Sequence, residues 1–134
     1  MCSLKQFASP SLFVAIDGDD VGVTLEALVL RGGVADLASF SRCVTARMAA
    51  LTQRLEDMGA QVIFAGGDSI LVEFALPEID LAWLHELPAS PCTFSVGIGH
   101  DLMTAYLALR VAKGKGKHQT VRFDSLVACP PSVE

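Results

Sequence analysis

The sequence predicts an α+β fold in which one mostly antiparallel sheet carries helices on one face. Three observations support this class: an apolar strand opens the fold, a long amphipathic helix follows it, and a glycine-containing hairpin comes next. A short helix, a strand, another helix and a last strand complete the order. This order is that of one layered core, and it matches a ferredoxin-like βαββαβ arrangement.

The first predicted strand covers about residues 12–17 and leads into three carboxylates. Five consecutive apolar residues, rich in β-formers, indicate a strand buried on both faces. The strand ends in three carboxylates that are interleaved with and followed by glycines: Asp17, Asp19 and Asp20. Carboxylates at the end of a buried strand are energetically costly unless a cation or hydrogen-bond donors satisfy them. We therefore expect Asp17 to hold a divalent metal and residues 18–22 to wrap a phosphate chain.

Two helices are predicted next. The first covers residues 24–30. Asp36 can cap the second and Gly59 can close it. The second helix has apolar residues at steps of three and four, which form one face against the sheet: Leu37, Phe40, Val44, Met48, Leu51, Leu55 and Met58.

A hairpin and a short helix follow. The strand-like runs 61–65 and 70–74 are joined by a glycine-containing turn at 66–69, which is typical of a hairpin. Residues 76–87 begin with Pro77, which suits a first helical turn, and end before a second proline. The segment therefore predicts a short helix.

The C-terminal elements are a strand, a helix and a strand. The strand covers 93–98, and Asp101 can cap the helix that follows it. A lysine–glycine run at 113–117 ends this helix, and the last strand covers 120–123. The apolar face of the helix consists of Leu102, Ala105, Tyr106, Leu109 and Ala112.

Composition favours a single domain over residues 1–134. At 134 residues, of which 51% are apolar, the chain can bury a core without disulfides or structural metals and can associate with a second copy. The formal charge of −5 argues against broad binding of nucleic acid polymers. The chain shows neither a signal peptide nor an apolar run of bilayer length, which predicts a cytoplasmic protein without a membrane partner. Free thiols are expected because the cysteines lack paired spacing: Cys2, Cys43, Cys92 and Cys129.

The predicted topology brings two distant carboxylates together. In a ferredoxin-like sheet the first and third strands run side by side in opposite directions, so the end of one meets the start of the other. Asp17 would then lie beside Asp68, and with the Gly18 carbonyl the pair suits Mg²⁺ or Mn²⁺. Lys113, Lys115 and Lys117 lie at a helix end and in a loop from which they can reach a polyphosphate. The reaction class is attack of a ribose hydroxyl on the α-phosphate of a nucleoside triphosphate.

Each of these features also has a plainer interpretation. Two aspartates beside glycines are often only turn chemistry, and a Gly-Gly-Asp sequence is more often a plain hairpin turn than a metal site. The lysines alone are more often a solvated helix end that interacts with the helix dipole. The combination of both acids with the lysines favours the functional interpretation.

Four segments, taken in order, resemble the palm domain shared by GGDEF cyclases and CRISPR polymerases. They are Ile-Asp-Gly-Asp-Asp-Val-Gly at 16–22, Gly-Gly-Asp-Ser-Ile-Leu at 66–71, Ser-Val-Gly-Ile-Gly at 95–99 and Ala-Lys-Gly-Lys-Gly-Lys at 112–117. Over roughly residues 12–124, the chain most resembles the stand-alone minimal CRISPR polymerase family (mCpol).

This resemblance implies a palm that makes cyclic nucleotide signals in bacterial defence against phage. It implies Asp17 and Asp68 as catalytic residues that bind metal together with the Gly18 carbonyl. It also implies a homodimer with two facing sites, a cyclic dinucleotide product and a downstream effector that binds the product. The implied nucleotide-binding residues are Gly18, Asp19, Asp20, Val21, Gly22, Gly67, Ser69, Lys113 and Lys117.

The chain departs from the palm pattern at two positions. Ser69 stands where many palms carry a second acid, which argues for fewer than two metals unless Asp19 or Asp20 supplies a ligand. His118 stands where an asparagine often follows. The guanine-reading positions of GGDEF cyclases are not recognisable around residues 25–30, which favours ATP. The alternatives are a palm-fold hydrolase of the GTP cyclohydrolase type and a catalytically silent nucleotide sensor.

Overall fold

The computed structural model describes residues 11–76 and 78–123. Expectations for residues 1–10, Pro77 and the segment after 123, including Cys2 and Cys129, lie outside the described residues. The elements are β1 (Leu12–Gly18), α1 (Val21–Leu30), α2 (Val34–Asp57), β2 (Gln61–Gly66), β3 (Ser69–Phe74), a 3₁₀ helix (Ala82–Glu86), β4 (Phe94–Gly99), α3 (Leu102–Gly114) and β5 (Thr120–Arg122).

The strands form one five-stranded sheet in the order β2-β3-β1-β4-β5. Neighbouring strands are antiparallel except β4 and β5, which are parallel. The predicted α+β class is confirmed, and β2-β3-β1-β4 is the ferredoxin-like order. Because β1 is central, its apolar run is buried between two neighbours, as its composition indicates.

The main core lies between α2 and one face of the sheet. Four residues of α2, at the predicted helical spacing, are buried there: Val44, Met48, Leu51 and Leu55. They pack with alternate residues of the central strands, such as Val14, Val72 and Ile98. Fully burying one such side chain stabilises the fold by roughly 1.5–3 kcal/mol, so this face supplies much of the core's stability.

The other long helix, α3, packs against glycines of β4. An added Cβ at Gly97 would lie 2.2 Å from the Leu109 backbone nitrogen and 2.3 Å from the Ala105 carbonyl oxygen. Gly97 pairs with Ala15 and alternates with the core residues Val96 and Ile98 along its strand. The predicted packing of helices on one face therefore holds for α1 and α2, whereas the register places α3 over the opposite face.

Helix boundaries differ from the sequence prediction at two N-termini. Helix α1 begins at Val21, three residues earlier than expected, and Gly33 occupies the N-cap of α2 while Asp36 lies in its first turn. Two end signals are confirmed. Gly59, at φ +100°, follows the α2 C-cap, and the Asp101 side chain accepts a hydrogen bond from the Thr104 N–H at 2.8 Å.

The predicted helix over 76–87 is wrong. Only a 3₁₀ helix forms in its described part, and the Asp80 carboxylate accepts a hydrogen bond from the Ala82 N–H at its start. Its apolar residues are spaced irregularly, so a continuous helix could not bury Leu81 and Leu84 together with the partly buried Ile79. The 3₁₀ helix, together with the irregular residues that precede it, places them against the core.

Within residues 11–76 and 78–123, no helix has the length and apolar character that crossing a bilayer requires. The two cysteines in these ranges are free thiols, with Cys43 exposed and Cys92 buried.

Candidate active site

The end of β1 adjoins the tip of the β2–β3 hairpin. Asp17 pairs with Ser69 in the strand register, and the Gly18 N–H donates to the Asp68 carbonyl at 2.8 Å. Gly67 occupies the left-handed region at φ +58°, which favours glycine and allows the two-residue turn. Two segments fifty residues apart therefore meet at one edge of the sheet, where the topology predicts them.

The carboxylates of Asp17 and Asp68 repel each other. Burial raises the pKa of Asp68, and the negative charge of Asp17 raises that pKa further. The Ser69 hydroxyl donates to Asp17 Oδ1 at 2.6 Å and fixes its orientation. A cation between the two acids would relieve the repulsion, so their arrangement suits a metal ion.

Lys113 lies against the same groups. Its Nζ is 2.9 Å from Asp17 Oδ2 and 2.9 Å from Asp19 Oδ1, and it donates to the Gly18 carbonyl at 3.1 Å. Burial disfavours the charged ammonium, but the two carboxylates outweigh burial and raise the pKa of Lys113 above its usual value. The lysine therefore remains charged. Its ammonium group contacts two of the three predicted metal-binding groups, Asp17 and the Gly18 carbonyl.

Asp19 has a structural role that the sequence did not reveal. It is 5% exposed, and its carboxylate accepts hydrogen bonds from Ser95 Oγ at 2.7 Å, Thr93 Oγ1 at 2.7 Å and the His118 N–H at 3.0 Å. Burial opposes its charge, but the hydrogen bonds from these groups and from Lys113 lower its pKa. The available signal was the presence of two hydroxyl residues, Thr93 and Ser95, in the otherwise apolar strand predicted over 93–98.

The residues predicted to wrap a phosphate chain, 18–22, extend from the end of β1 into the first turn of α1. The Gly18 and Asp19 N–H groups are used within the fold, and the latter donates to the Thr93 carbonyl at 2.9 Å. The first turn of α1 supplies other donors, because the N–H groups of Val21 and Gly22 have no partner within the helix. Asp20, at φ 59°, leads into this turn and forms an ion pair with Lys117.

A cavity of about 370 Å³ opens beside this turn. It lies between α1, α2 and the hairpin tip, and Leu25, Phe40, Thr45 and Asp68 contribute to its lining together with Gly22. The volume falls in the range of small-ligand pockets, and the lining combines apolar and polar groups. The cavity therefore connects the first turn of α1 with one of the two candidate metal ligands.

The donor set fits a hard divalent cation that shares its coordination with a substrate. In the described part of the chain, no three His, Cys, Asp or Glu side chains are arranged as a metal site. Two carboxylates and a carbonyl, all oxygen donors, match the usual habit of Mg²⁺, which keeps waters and binds substrate phosphates. Asp17, Gly18 and Asp68 are the residues that would hold the ion.

The described fold resembles solved cyclase domains. The active GGEEF domain of a diguanylate cyclase from Vibrio cholerae superposes with a TM-score of 0.59 at 15% identity, covering 92% of this chain and 89% of that domain. The GGDEF domain of DgcB from Caulobacter crescentus, in complex with c-di-GMP, gives a TM-score of 0.56 at 16% identity, with coverage of 90% and 82%. At these identities the likeness shows the fold alone.

The sequence comparison identifies the family. No curated protein matches the sequence. The family model for the minimal CRISPR polymerase domain matches residues 13–123, which is most of the chain. The four sequence segments had indicated a resemblance to this family, and the match shows that the chain belongs to the minimal CRISPR polymerase (mCpol) family.

Proposed function

We propose that this protein is a metal-dependent nucleotidyltransferase that converts nucleoside triphosphates, preferentially ATP, into a cyclic dinucleotide second messenger. The observation that carries the proposal is the Asp17–Asp68 pair beside the Gly18 carbonyl, with the Lys113 ammonium within 3.1 Å of two of these groups. Membership of a polymerase domain family supports the reaction class.

Each residue has a proposed task. Asp17, Asp68 and the Gly18 carbonyl bind Mg²⁺ or Mn²⁺, which when bound neutralises the triphosphate and polarises its α-phosphate. The first turn of α1, from Val21 to Gly22, donates N–H groups to phosphate oxygens. The lysine side chains exchange their carboxylate partners for phosphates when the substrate arrives.

The proposed reaction joins two nucleotides in two identical steps. A ribose hydroxyl oxygen bonds to the α-phosphorus of a triphosphate, the bond from that phosphorus to the α–β bridging oxygen breaks, and pyrophosphate leaves. The hydroxyl proton passes to solvent. A second such step closes the ring, so the two triphosphates yield one cyclic dinucleotide and two pyrophosphates.

The test is product analysis. The protein is incubated with Mg²⁺ or Mn²⁺ and each nucleoside triphosphate in turn, and products are resolved by mass. A cyclic dinucleotide with pyrophosphate supports the proposal, and a ring-opened base would instead identify a hydrolase of the GTP cyclohydrolase type. Unchanged triphosphate that nevertheless binds would identify a silent sensor.

The sensor is the second candidate because of Ser69. Its hydroxyl satisfies Asp17 Oδ1 at 2.6 Å, at the position where an additional acid would increase the capacity for metal. A Ser69→Asp variant separates the two possibilities. If the wild-type chain is silent because it lacks an acidic metal ligand at position 69, this variant gains turnover. If the wild-type chain is already active, its turnover does not depend on the added acid.

Three further elements remain predictions: the homodimer with facing sites, the anti-phage role and the effector that binds the product. Dilution tests the first, because a dimeric enzyme loses activity per chain as its concentration falls below the dissociation constant. Phage challenge of cells that carry wild-type or Asp68→Asn protein tests the second. Capture of proteins on the immobilised product tests the third.

A further inference from the structure

Helix α1 carries an apolar face that no other residue of the described chain covers. On one side of the helix Val21 and Leu28 are buried and Leu25 packs against the core. On the other side Val23 is 65% exposed and Leu30 is 79% exposed. A helix that is apolar on every side is normally buried on every side, so the exposed side of α1 is suited to contact with another molecule.

The exposed residues form one stripe that begins at the candidate active site. Val23, Ala27 and Leu30 are all exposed and are spaced by four and three residues, so they share one side of the helix; we call them the α1 stripe. Glu26, the only charged residue within α1, lies at the edge of the stripe. The stripe starts directly after Gly22, which lines the 370 Å³ cavity. A partner on the stripe therefore lies beside the proposed triphosphate site.

The two ends of α1 carry opposite charges. Asp20 is the N-cap residue, and the exposed Arg31 is the C-cap residue. None of the residues that the structure describes forms an ion pair or a hydrogen bond with the Arg31 guanidinium. The ends of this ten-residue helix are about 15 Å apart. An antiparallel copy of the helix therefore places its arginine beside this aspartate, and the opposed helix dipoles favour the same arrangement.

We infer that the α1 stripe is the contact between two copies of this chain, paired antiparallel about a twofold axis near Ala27, and that Arg31 of the partner subunit binds the triphosphate. Such an axis sets Val23 against the partner's Leu30, so the stripe is self-complementary, as a twofold interface requires. The inference rests on the proposed function and its homodimer. It names the surface that forms the dimer and a residue that each copy supplies to the other's site.

The charge at the first turn of α1 explains what the additional cation does there. The Asp20 carboxylate already forms an ion pair with Lys117. A second cation from the partner gives this end of the helix a net positive charge, next to the free N–H groups of the first turn. A guanidinium binds phosphate oxygens through two parallel hydrogen bonds, so this position suits the triphosphate of the proposed reaction.

This pattern of charge favours a second copy over an unrelated protein as the partner. The apolar stripe is complementary to itself, and each charged end of α1 meets its opposite only when the partner presents the same helix in reverse. The proposed reaction also joins two nucleotides, and the antiparallel pair makes two equivalent sites to which both copies contribute.

Sedimentation over a range of concentrations, with Mg²⁺ and α,β-methylene-ATP present, tests the interface. Leu30→Glu places a carboxylate in the α1 stripe, and Val23→Ser is a milder change in it. Met103→Glu is the control, because Met103 is an apolar residue of α3 that is 58% exposed. Wild type and the control are expected to dimerise equally, whereas Leu30→Glu raises the dimer dissociation constant at least about tenfold. Stripe variants that dimerise like wild type would overturn the inference.

Mixing two impaired variants tests whether Arg31 acts on the partner's site. Arg31→Ala and Asp68→Asn alone are each expected to release pyrophosphate from ATP at least about tenfold more slowly than wild type. In a mixed dimer, one site combines Asp68 of one chain with Arg31 of the other and is complete. Random exchange makes about half of the dimers mixed, so about a quarter of wild-type turnover returns. Lys113→Ala mixed with Asp68→Asn is the control and regains none, because both residues serve the site of their own chain.

The outcomes separate this inference from the proposed function. Active wild type that remains monomeric, Arg31→Ala that is as active as wild type, or a mixture with Asp68→Asn that recovers nothing would overturn the inference and leave the reaction standing. A wild-type dimer that releases no pyrophosphate from any nucleoside triphosphate would overturn the proposed function. Sedimentation of Leu30→Glu would then decide the interface by itself.

Discussion

At the scale of single residues, the buried carboxylate of Asp19 connects three separate segments. Its partners come from the start of β4, from α3 and from the loop before β5, through Ser95, Lys113 and the His118 N–H. Buried charged hydrogen bonds of this kind are stabilising when complete and costly when one partner is removed. Asp19 therefore positions Lys113, which itself contacts Asp17.

Asp19→Asn is expected to lower the free energy of unfolding by about 2–3 kcal/mol near pH 6. Because the pKa of Asp19 is lowered in the folded state, its carboxylate contributes fully above the ordinary value of 3.8, and this contribution is lost as pH falls through the folded pKa. Urea unfolding at pH 6 and pH 3 measures the difference. The exposed Asp57→Asn serves as the control, and an Asp19 effect that is equal at both pH values would contradict the argument.

Asp68→Asn is expected to separate stability from activity. The pKa of Asp68 is raised, so its charge destabilises the folded protein at neutral pH, and the penalty disappears below the ordinary value of 3.8. In EDTA at pH 7 the variant should therefore melt at a higher temperature than wild type. Its turnover with Mg²⁺ should fall at least about 100-fold, as expected for loss of a metal ligand.

Melting curves at pH 7 and pH 3 and a pyrophosphate-release assay check both effects. Glu56→Gln, an exposed change on α2, is the control for each. If the Asp68→Asn variant melts at a lower temperature than wild type at pH 7, the charge of Asp68 stabilises the fold rather than destabilising it. Wild-type turnover would show that it is no ligand.

At the scale of elements, the position of α3 depends on the absence of side chains beneath it. Gly97 lies under Ala105 and Leu109, and Gly99 lies under Thr104 and Ala105, at distances that leave no room for a Cβ. This close approach brings the C-terminal end of α3, with Lys113, down to the level of Asp17. The close packing of α3 therefore positions Lys113 beside Asp17.

Gly97→Ala is expected to destabilise the fold by about 3 kcal/mol, because the new Cβ overlaps backbone atoms that cannot rotate away. Gly114→Ala, in the last turn of the same helix, meets no atom within 4 Å and is expected to gain about 0.5–1 kcal/mol. Urea unfolding of both variants measures the contrast. Equal stability of the two would mean that α3 can move off the sheet without cost.

At the scale of the whole molecule, the chain carries a net charge of −5, and the triphosphate that we propose as its substrate is itself strongly negative. The lysines and the first turn of α1 offset only part of that charge. We therefore expect triphosphate binding and divalent cations to be thermodynamically linked, each favouring the other.

Thermal shift measures this linkage. Mg²⁺ with α,β-methylene-ATP should raise the melting temperature more than the two ligands do separately, because binding to the folded state stabilises it by mass action. Lys113→Ala should weaken triphosphate binding by about tenfold or more through loss of a charged hydrogen bond. Lys115→Ala is the matched control, since Lys115 is an exposed neighbour whose side chain has no described role in the site. Equal affinity of the two variants would count against Lys113 as a phosphate ligand.

The sequence by itself determined the elements whose signals are local. The apolar run of β1, the spacing of α2, the capping aspartate of α3 and the glycine turn at 66–67 each act within a few residues, and each was predicted close to its observed place. The order of these elements also predicted that Asp17 and the hairpin tip meet, because strand adjacency follows from the topology.

Only the tertiary structure decided what lies between the elements. The partners of Asp19 come from segments more than seventy residues away, the close seat of α3 depends on glycines whose facing is set by the strand register, and the irregular segment before β4 follows the shape of the core rather than a helical period. These features depend on burial and on contacts made across the sheet, and a linear pattern carries no record of which distant groups fill a given space. The same reason explains why the groove beside α3, which is lined by residues of three strands and a helix, has no sequence motif.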